Sequence, residues 1–593
     1  MLFGKHINKY YLRYLHVLLL GTAALIAVDY VQLIVPELYK LVVNGINTGL
    51  VTSDGVTVPF DMEFLLDSVC RPLLFVILSL VIGRFLWRIC FFGSALKVAT
   101  DLRGRMFGKC ESLSQQYYQV NKVGNLMSLF TNDLETVREC FGSGVMMFCD
   151  ALFLGTLAIW KMVSMNAFLA LLCMVPLGLL LAVGTVVGKH MTARWAERQQ
   201  AFSDLSDFSQ ESFSGIAVIK AFVKNTKELM NFRKLNKNNE KANVNYTKAS
   251  TLLNILVTLF VESVICVILG YGGWLVHEKI FDAGQLVEFI AYFNSAVWPV
   301  MAVSELIEMR SRGKASLQRI SRLLDSTSDV EDRPDVTDMD FIYGNIEFRN
   351  LTFRYPGGEY DVLQNVSFVI NAGENVGIIG KTGAGKTTIV DLLLRTYNVP
   401  DGTVFLDGRD INTIPIHTVR KFSAYVPQDN FLFSDTIENN IAFATDGGDS
   451  EDVIQAAKMS DVDDNIRDFA LGYQTVLGER GVTVSGGQKQ RISIARALMK
   501  DASILILDDS VSAVDVKTEK SILENLRKLR KGKTTILIAH RITTVEKMDK
   551  IIFVDDGRIV AVGSHEQLCN TCPEYKTMVD LQKLDEKEEK ENA

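Results

Sequence analysis

Long apolar stretches crowd the first half of this chain, at about 16–36, 72–93, 143–163, 166–188, 251–276 and 284–303. Each holds roughly 20 residues or more, and at about 1.5 Å of rise per residue a helix of that length crosses a hydrocarbon core of about 30 Å. So many runs of this kind in one half of a chain exceed what soluble helices bury, and the pattern predicts six transmembrane helices. The first run lacks a small-residue cleavage site and continues through Tyr30 to Pro36, so it reads as a retained span rather than a signal peptide. Lys5, Lys9 and Arg13 precede it, whereas no Lys or Arg lies between Lys40 and Arg71, where Asp54, Asp61, Glu63 and Asp67 stand. That asymmetry predicts a cytoplasmic N-terminus.

Polar segments at about 94–141 and 189–249 keep helical patterning with few breakers, which predicts helices extending far into the cytoplasm. The connections after the third and fifth stretches are short, as between antiparallel neighbours. Ionisable residues inside spans are costly and face a cavity or a partner. Here they are Asp29, Arg84, Arg88, Asp150, Glu262 and Glu288, mixed with Phe260, Tyr292, Phe293 and Trp298. Two readings stay open: the acids Asp29, Asp150, Glu262 and Glu288, with Phe293 and Trp298, line a cavity for a lipophilic cation, or Arg84 and Arg88 pair with the acids or reach to the interface.

The charge balance, Lys+Arg 62 against Asp+Glu 69 for a net charge of -7, argues against nucleic-acid binding. The 9 cysteines lie mostly in hydrophobic runs and read as reduced packing residues. Cys569 and Cys572 have CxxC spacing but no second ligand pair, so the spacing alone does not build a zinc site.

After Leu324 the stretch DSTSDVEDRPDVTDMD is acidic and polar and carries Pro334. It predicts a membrane domain over 1–324, a linker over 325–343, a soluble domain over 344–582 and a charged tail over 583–593. In the soluble domain, short β-rich runs such as ENVGIIG, TVFLDG, ASILILDD, TTILIAH and KIIFVDD alternate with helical patterns, which predicts an α/β fold with a largely parallel sheet.

Between the strand-like ENVGII and the helix-like TIVDLLLRTY stands GKTGAGKT, followed by Thr388. In that context Gly380, Lys381, Thr382, Gly383, Ala384 and Gly385 form a phosphate-wrapping loop at a helix N-terminus. Lys386 reaches the β- and γ-phosphates, and the Thr387 hydroxyl goes to Mg²⁺. Downstream, ILILDD ends in Asp508 and Asp509, and Asp508 is the carboxylate placed to hold the Mg²⁺ shell.

VSGGQKQR stands just ahead of ILILDDSVSAVD, and together with the P-loop this pattern resembles the nucleotide-binding domain of ATP-binding cassette (ABC) proteins. The whole layout resembles an ABC exporter half-transporter: an α membrane domain followed by an α/β P-loop ATPase domain. The resemblance implies that Tyr355 stacks on adenine, with an edge-strand tyrosine as the other reading. It further implies that Gln428 senses Mg²⁺ and the γ-phosphate, that His540 contacts the γ-phosphate and orients water, and that Asp515 communicates across a dimer. Glu479 falls where the family contacts the membrane-domain loops. Ser485, Gly486, Gly487 and Gln488 match the signature that completes an ATP site on a second subunit, so the resemblance implies a dimer. Gln115 to Val137 and Glu211 to Phe222 resemble the loops that dock on the cassettes.

One departure stands out. The family usually carries Glu, its general base, where this chain has Asp509. A missing methylene withdraws the carboxylate by about 1.5 Å, while a base must come within about 2.6–3.2 Å of the proton it takes, directly or through water. With the signature intact, this predicts the degenerate-site subunit of a heterodimeric multidrug-type exporter in a bacterial plasma membrane, moving a hydrophobic or amphipathic compound. A homodimeric lipid flippase or peptide exporter is the alternative.

Overall fold

The computed structural model describes residues 3–53, 56–445, 447–478, 481 and 483–592. The chain divides into two compact units: Met1–Ser112 with Asn121–Ser326, and Leu113–Val120 with Thr327–Ala593.

The first unit is helical. α1 (Leu15–Gln32) and α2 (Ile34–Thr48) follow each other across Leu33, and Gly49, at φ 69°, ends α2 in the left-handed conformation. A short antiparallel hairpin, β1 (Leu50–Ser53) and β2 (Val56–Pro59), leads to α3 (Arg71–Ser112). Then come α4 (Ser143–Met165), α5 (Ala167–Ser214), α6 (Asn225–His277) and α7 (Ala283–Asp325). Asn166 alone separates α4 from α5, and its side chain accepts from the Leu169 N–H at 2.9 Å. A capping box of Asp282 and Gln285 starts α7.

Among the described residues, 5 helical runs are long and apolar enough to cross a membrane: Leu15–Thr48, Met62–Ser112, Val123–Met165, Asn225–His277 and Ala283–Asp325. The apolar stretch at 166–188 lies on α5, where the side chains of 180–190 are outside the described residues. At 53 residues, α6 is about 80 Å long, well beyond a core of about 30 Å, so it extends past the hydrocarbon as the patterning predicts. Close approach of α1 and α3 depends on Gly83, where a Cβ would lie 2.4 Å from Val28. Aromatic packing fills the bundle around Phe289, Tyr292 and Phe293.

The second unit holds two sheets. β3 (Ile346–Phe353), β4 (Leu363–Ile370), β6 (Val404–Leu406) and β7 (Arg409–Asp410) form an antiparallel sheet in the order β4-β3-β6-β7. The larger sheet runs β12-β11-β5-β10-β9-β8, built from β5 (Asn375–Gly380), β8 (Ser423–Val426), β9 (Ile504–Asp508), β10 (Thr534–Ala539), β11 (Lys550–Asp555) and β12 (Arg558–Gly563). All its pairings are parallel except β11 with β12. β9 and β10 are buried at every residue, as befits strands covered on both faces. Four helices bear on the site: α8 (Lys386–Leu393), α9 (Gly486–Met499), α10 (Val516–Leu529) and α11 (Ile542–Val545). The terminal helix α12 spans Pro573–Asn592, so the charged tail continues a helix.

The acidic stretch after Asp325 carries no helix or strand before β3, yet it is sewn onto the second unit. The Thr337 N–H donates to the Thr413 carbonyl at 2.9 Å, Ile416 N–H donates to Asp332 at 2.9 Å, and Arg333 meets Asp401 at 2.5 Å.

Candidate functional site

Parallel pairing brings several of the candidate residues together. β8, β9, β10 and β5 lie side by side with Val426 opposite Leu507, Asp508 opposite Ile538 and Ala539 opposite Ile379, so their carboxyl ends form one edge. Just past those ends stand Gln428, Asp509, His540 and the loop from Gly380, within three strand spacings of about 4.8 Å each. In open parallel sheets this edge is where ligands bind.

β5 ends at Gly380, where a Cβ would lie 1.9 Å from the Val554 carbonyl oxygen; only glycine lets the two strands stay paired there. Gly383 (φ 83°) and Gly385 (φ 93°) take left-handed conformations that turn the loop onto α8. Lys381, Thr382 and Gly383 are exposed, while Ala384, Gly385, Lys386 and Thr388 are buried beneath them. The Lys386 ammonium donates to the carbonyls of Gly380 and Lys381, each at 2.9 Å, which holds the cation inside the curve of the loop. Burial pulls this lysine below its usual range, and the charges of Asp508 and Asp509 oppose that.

Asp508, 1% exposed, is hydrogen-bonded to Thr387 and lies 3.5 Å from the Tyr425 hydroxyl. Burial pushes its carboxyl above the ordinary range, the neighbouring Asp509 adds to this, and Thr387 and Lys386 counter it. A buried carboxylate beside a hydroxyl is an oxygen donor set that fits Mg²⁺. Behind the loop lies Asp391, which the sequence alone does not single out. Burial and then the charge of Asp508 push it up to about 6.

Asp509 adopts φ 47°, an unusual conformation for a residue with a side chain. Its N–H donates to the Ile538 carbonyl at 3.0 Å; its own carbonyl accepts from the Ser512 hydroxyl at 2.9 Å and from the Gln490 amide at 3.4 Å. Gln490 also accepts from the Ala513 N–H at 3.0 Å, joining α9 to the loop after Asp509. The sequence signal for Gln490 was its place within VSGGQKQR.

Ser485 caps α9 in a reciprocal box with Gln488: the Gln488 N–H donates to the Ser485 hydroxyl at 3.2 Å, and the Ser485 N–H to the Gln488 side chain at 3.0 Å. Ser485 and Gly486 are exposed, and no atom lies within 4 Å of a Cβ built on Gly486. Asp515 caps α10 through the N–H groups of Lys517 and Thr518. Tyr355 hydrogen-bonds Thr388 at 2.8 Å and sets its ring edge-on to Phe353 and Tyr397. The Gln428 side chain is exposed. Glu479 lies outside the described residues.

In the membrane unit a cavity of about 440 Å³ is lined by residues that include Asp29, Gln32, Arg84, Trp87, Asp150 and Trp298. Asp29 is 2% exposed and its Oδ2 has no hydrogen-bond partner, while Arg84 donates to Gln32 at 3.2 Å. The other intramembrane candidates stand elsewhere. Glu288 meets Lys40 at 3.5 Å and Tyr292 at 3.1 Å, Phe293 is fully buried in the bundle core, and Glu262 is exposed on α6. Arg88 lies over the Trp87 ring rather than against an acid.

Comparison with known proteins agrees with this arrangement. Residues 18–300 match the family model described as "ABC transporter transmembrane region", and 363–512 match "ABC transporter". The chain is 35% identical to the probable multidrug resistance ABC transporter ATP-binding/permease protein YheI of Bacillus subtilis, over 98% of this chain and 97% of that one. It is 31% identical to the multidrug resistance-like ATP-binding protein MdlA of Escherichia coli (95% and 94% covered). It is 32% identical to the ATP-dependent lipid A-core flippase of Syntrophus aciditrophicus (83% and 81%). Its fold matches a bacterial Atm1-family ABC exporter with ATP bound, with a TM-score of 0.76 at 25% identity over 97% of this chain and 99% of that one.

Proposed function

This chain belongs to the ABC transporter family, with an ABC transmembrane region fused to an ABC ATPase domain, and from that premise we propose that it is the weak-site half of a heterodimeric multidrug-type exporter. The observation that carries this reading is Asp509. Its backbone is fixed on both sides, by Ile538 and by Ser512 and Gln490, so the chain cannot advance to restore the reach lost with one methylene. A base about 1.5 Å short of its proton loses most of its effect.

ATP binds with its phosphates in the loop from Gly380, Lys386 against the outer phosphates and Tyr355 at the base, which requires Tyr355 to present its ring face to adenine. Thr387 and Asp508, with Gln428, would hold Mg²⁺, which neutralises charge on the phosphates. Hydrolysis breaks the bond between the β-phosphate and the γ-phosphoryl group; water attacks phosphorus and gives its proton to the base, with His540 orienting it. At this chain's own loop that step is slow. The capped and exposed Ser485 and Gly486 instead serve the partner's ATP, whose Glu supplies the base.

Tight binding of ATP between two cassettes favours their closed state, and hydrolysis at the competent site releases it. Asp515 carries the closed state across the dimer. The short helix Ile216–Ala221, with Val218 exposed on it and Phe213 and Phe222 exposed beside it, docks on the partner's cassette. The N-terminus and ATPase domain face the cytoplasm of a bacterial plasma membrane. The acids Asp29 and Asp150 share the α1–α3–α4–α7 cavity with Arg84 beside the rings of Trp87 and Trp298, and an acid pair next to aromatic faces suits an organic cation. A homodimer that moves lipid is the second reading, and the flippase among the chain's relatives favours the lipid cargo.

The deciding measurement is ATPase activity of the full chain alone, then co-expressed with a half-transporter that carries Glu at the matching position, with Asp509→Glu in parallel. Near-inert chain alone, activity with the partner and a gain on Asp509→Glu are expected. Brisk turnover by the chain alone that Asp509→Glu barely changes overturns the reading in favour of the homodimer.

A further inference from the structure

β10 ends at Ala539, and its ladder with β5 ends there too, so the backbone of His540 and Arg541 leaves the sheet without strand partners. The N–H of Ile542 opens α11, so it has no partner within that helix, and Arg541 caps the helix with no side-chain bond. Both gaps are closed by one side chain from α12. The Gln582 amide donates to the His540 carbonyl at 2.8 Å, and its oxygen accepts from the Ile542 N–H at 2.8 Å. One planar group thus brackets His540 and Arg541 from 40 residues downstream.

Gln582 occupies a position that the helix pattern assigns to an apolar side chain. Tyr575 and Val579, i−7 and i−3 from it, are both buried in the core that also contains Phe553, Ile542 and Val545. Tyr575 meets the Phe553 ring edge-on, which fixes α12 against the sheet. From that anchored helix, Gln582 acts as a rigid strut. On the opposite side α10 braces the same segment, with Glu519 bonded to Thr544.

We infer that Gln582 is a positioning residue: it holds the His540 backbone so that the imidazole stays aimed along the site edge. The inference rests on the reading of His540 as the group that orients the attacking water. It assigns to the terminal helix a part in setting turnover.

The test uses the full chain in complex with the half-transporter it assembles with, carrying Gln582→Ala or Gln582→Glu in an Asp509→Glu background that also carries Ser485→Arg to silence the partner's ATP, so that turnover reports this chain's own loop. Gln582→Ala is expected to lower kcat about tenfold with little change in KM for Mg-ATP, and to speed amide exchange at Ile542 about tenfold without affecting the P-loop. Gln582→Glu keeps the acceptor and loses the donor while ionised. Its kcat relative to the parent should recover as pH falls and the carboxyl regains a proton.

Unchanged exchange at Ile542, unchanged kcat, or a loss of turnover that tracks the loss of folded protein in thermal unfolding would each overturn the inference. If Asp509→Glu itself fails to raise turnover above that of the native complex, the weak-base reading is what fails. The same Gln582 comparisons are then made in the native background.

Discussion

Asp391 shows how much the ATP site is shaped by charge that the motifs do not contain. Its carboxyl is pushed up to about 6 by burial and by Asp508, against an ordinary value of 3.8. A raised carboxyl binds more protons folded than unfolded, so its ionisation erodes stability as pH rises from about 4 to about 6, and the cost is complete at pH 7.5. Asp391→Asn should therefore stabilise the ATPase domain at pH 7.5, on the order of 1–2 kcal/mol after allowance for part exposure, and leave it unchanged near pH 4. Thermal unfolding of the full chain at the two pH values reads this directly; a stabilisation of equal size at both would exclude ionisation as its source. Bound Mg²⁺ lowers the effective negative charge at Asp508, so the gap should narrow in Mg-ATP.

Elements, rather than single side chains, explain which parts of the site were legible in the sequence. Gly380, Asp508, Asp509 and His540 each end or follow a short apolar strand, and parallel pairing then brings strand ends together whatever the intervening distance. Gln490 and Gln582 act across 19 and 40 residues to backbone groups, a relation with no local pattern. The membrane cavity was half legible for a different reason. Spanning helices are apolar on every face, so periodicity does not say which side of α7 turns inward, and Phe293 fell in the core while Trp298 met the cavity. Two predictions belong here. Gln490→Leu removes both ties between α9 and the loop after Asp509, and should lower the unfolding free energy by about 1–3 kcal/mol in denaturant titration. Tetraphenylphosphonium should stimulate the ATPase activity of the complex, and Asp150→Asn should abolish that stimulation while leaving basal turnover intact; undiminished stimulation would remove the acid pair from substrate binding.

At the scale of the whole molecule, the ATPase half is incomplete by construction. Its P-loop and its signature helix belong to one chain, yet Ser485 and Gly486 stand exposed, with open space where a side chain on Gly486 would point. In the proposed pair, the two functions of this cassette separate onto two ATP molecules. Lys386→Ala then strikes only the ATP held by this chain, and Ser485→Arg only the ATP held by the partner. In the complex, Ser485→Arg should cut total turnover more than about tenfold, because it fills the space the partner's γ-phosphate needs and places a bulky side chain at the cap of α9. Photolabelling with an azido-ATP should show this chain still labelled in Ser485→Arg and unlabelled in Lys386→Ala. A homodimer admits no such separation: both substitutions then fall on every site, and either one alone removes turnover wherever it is introduced.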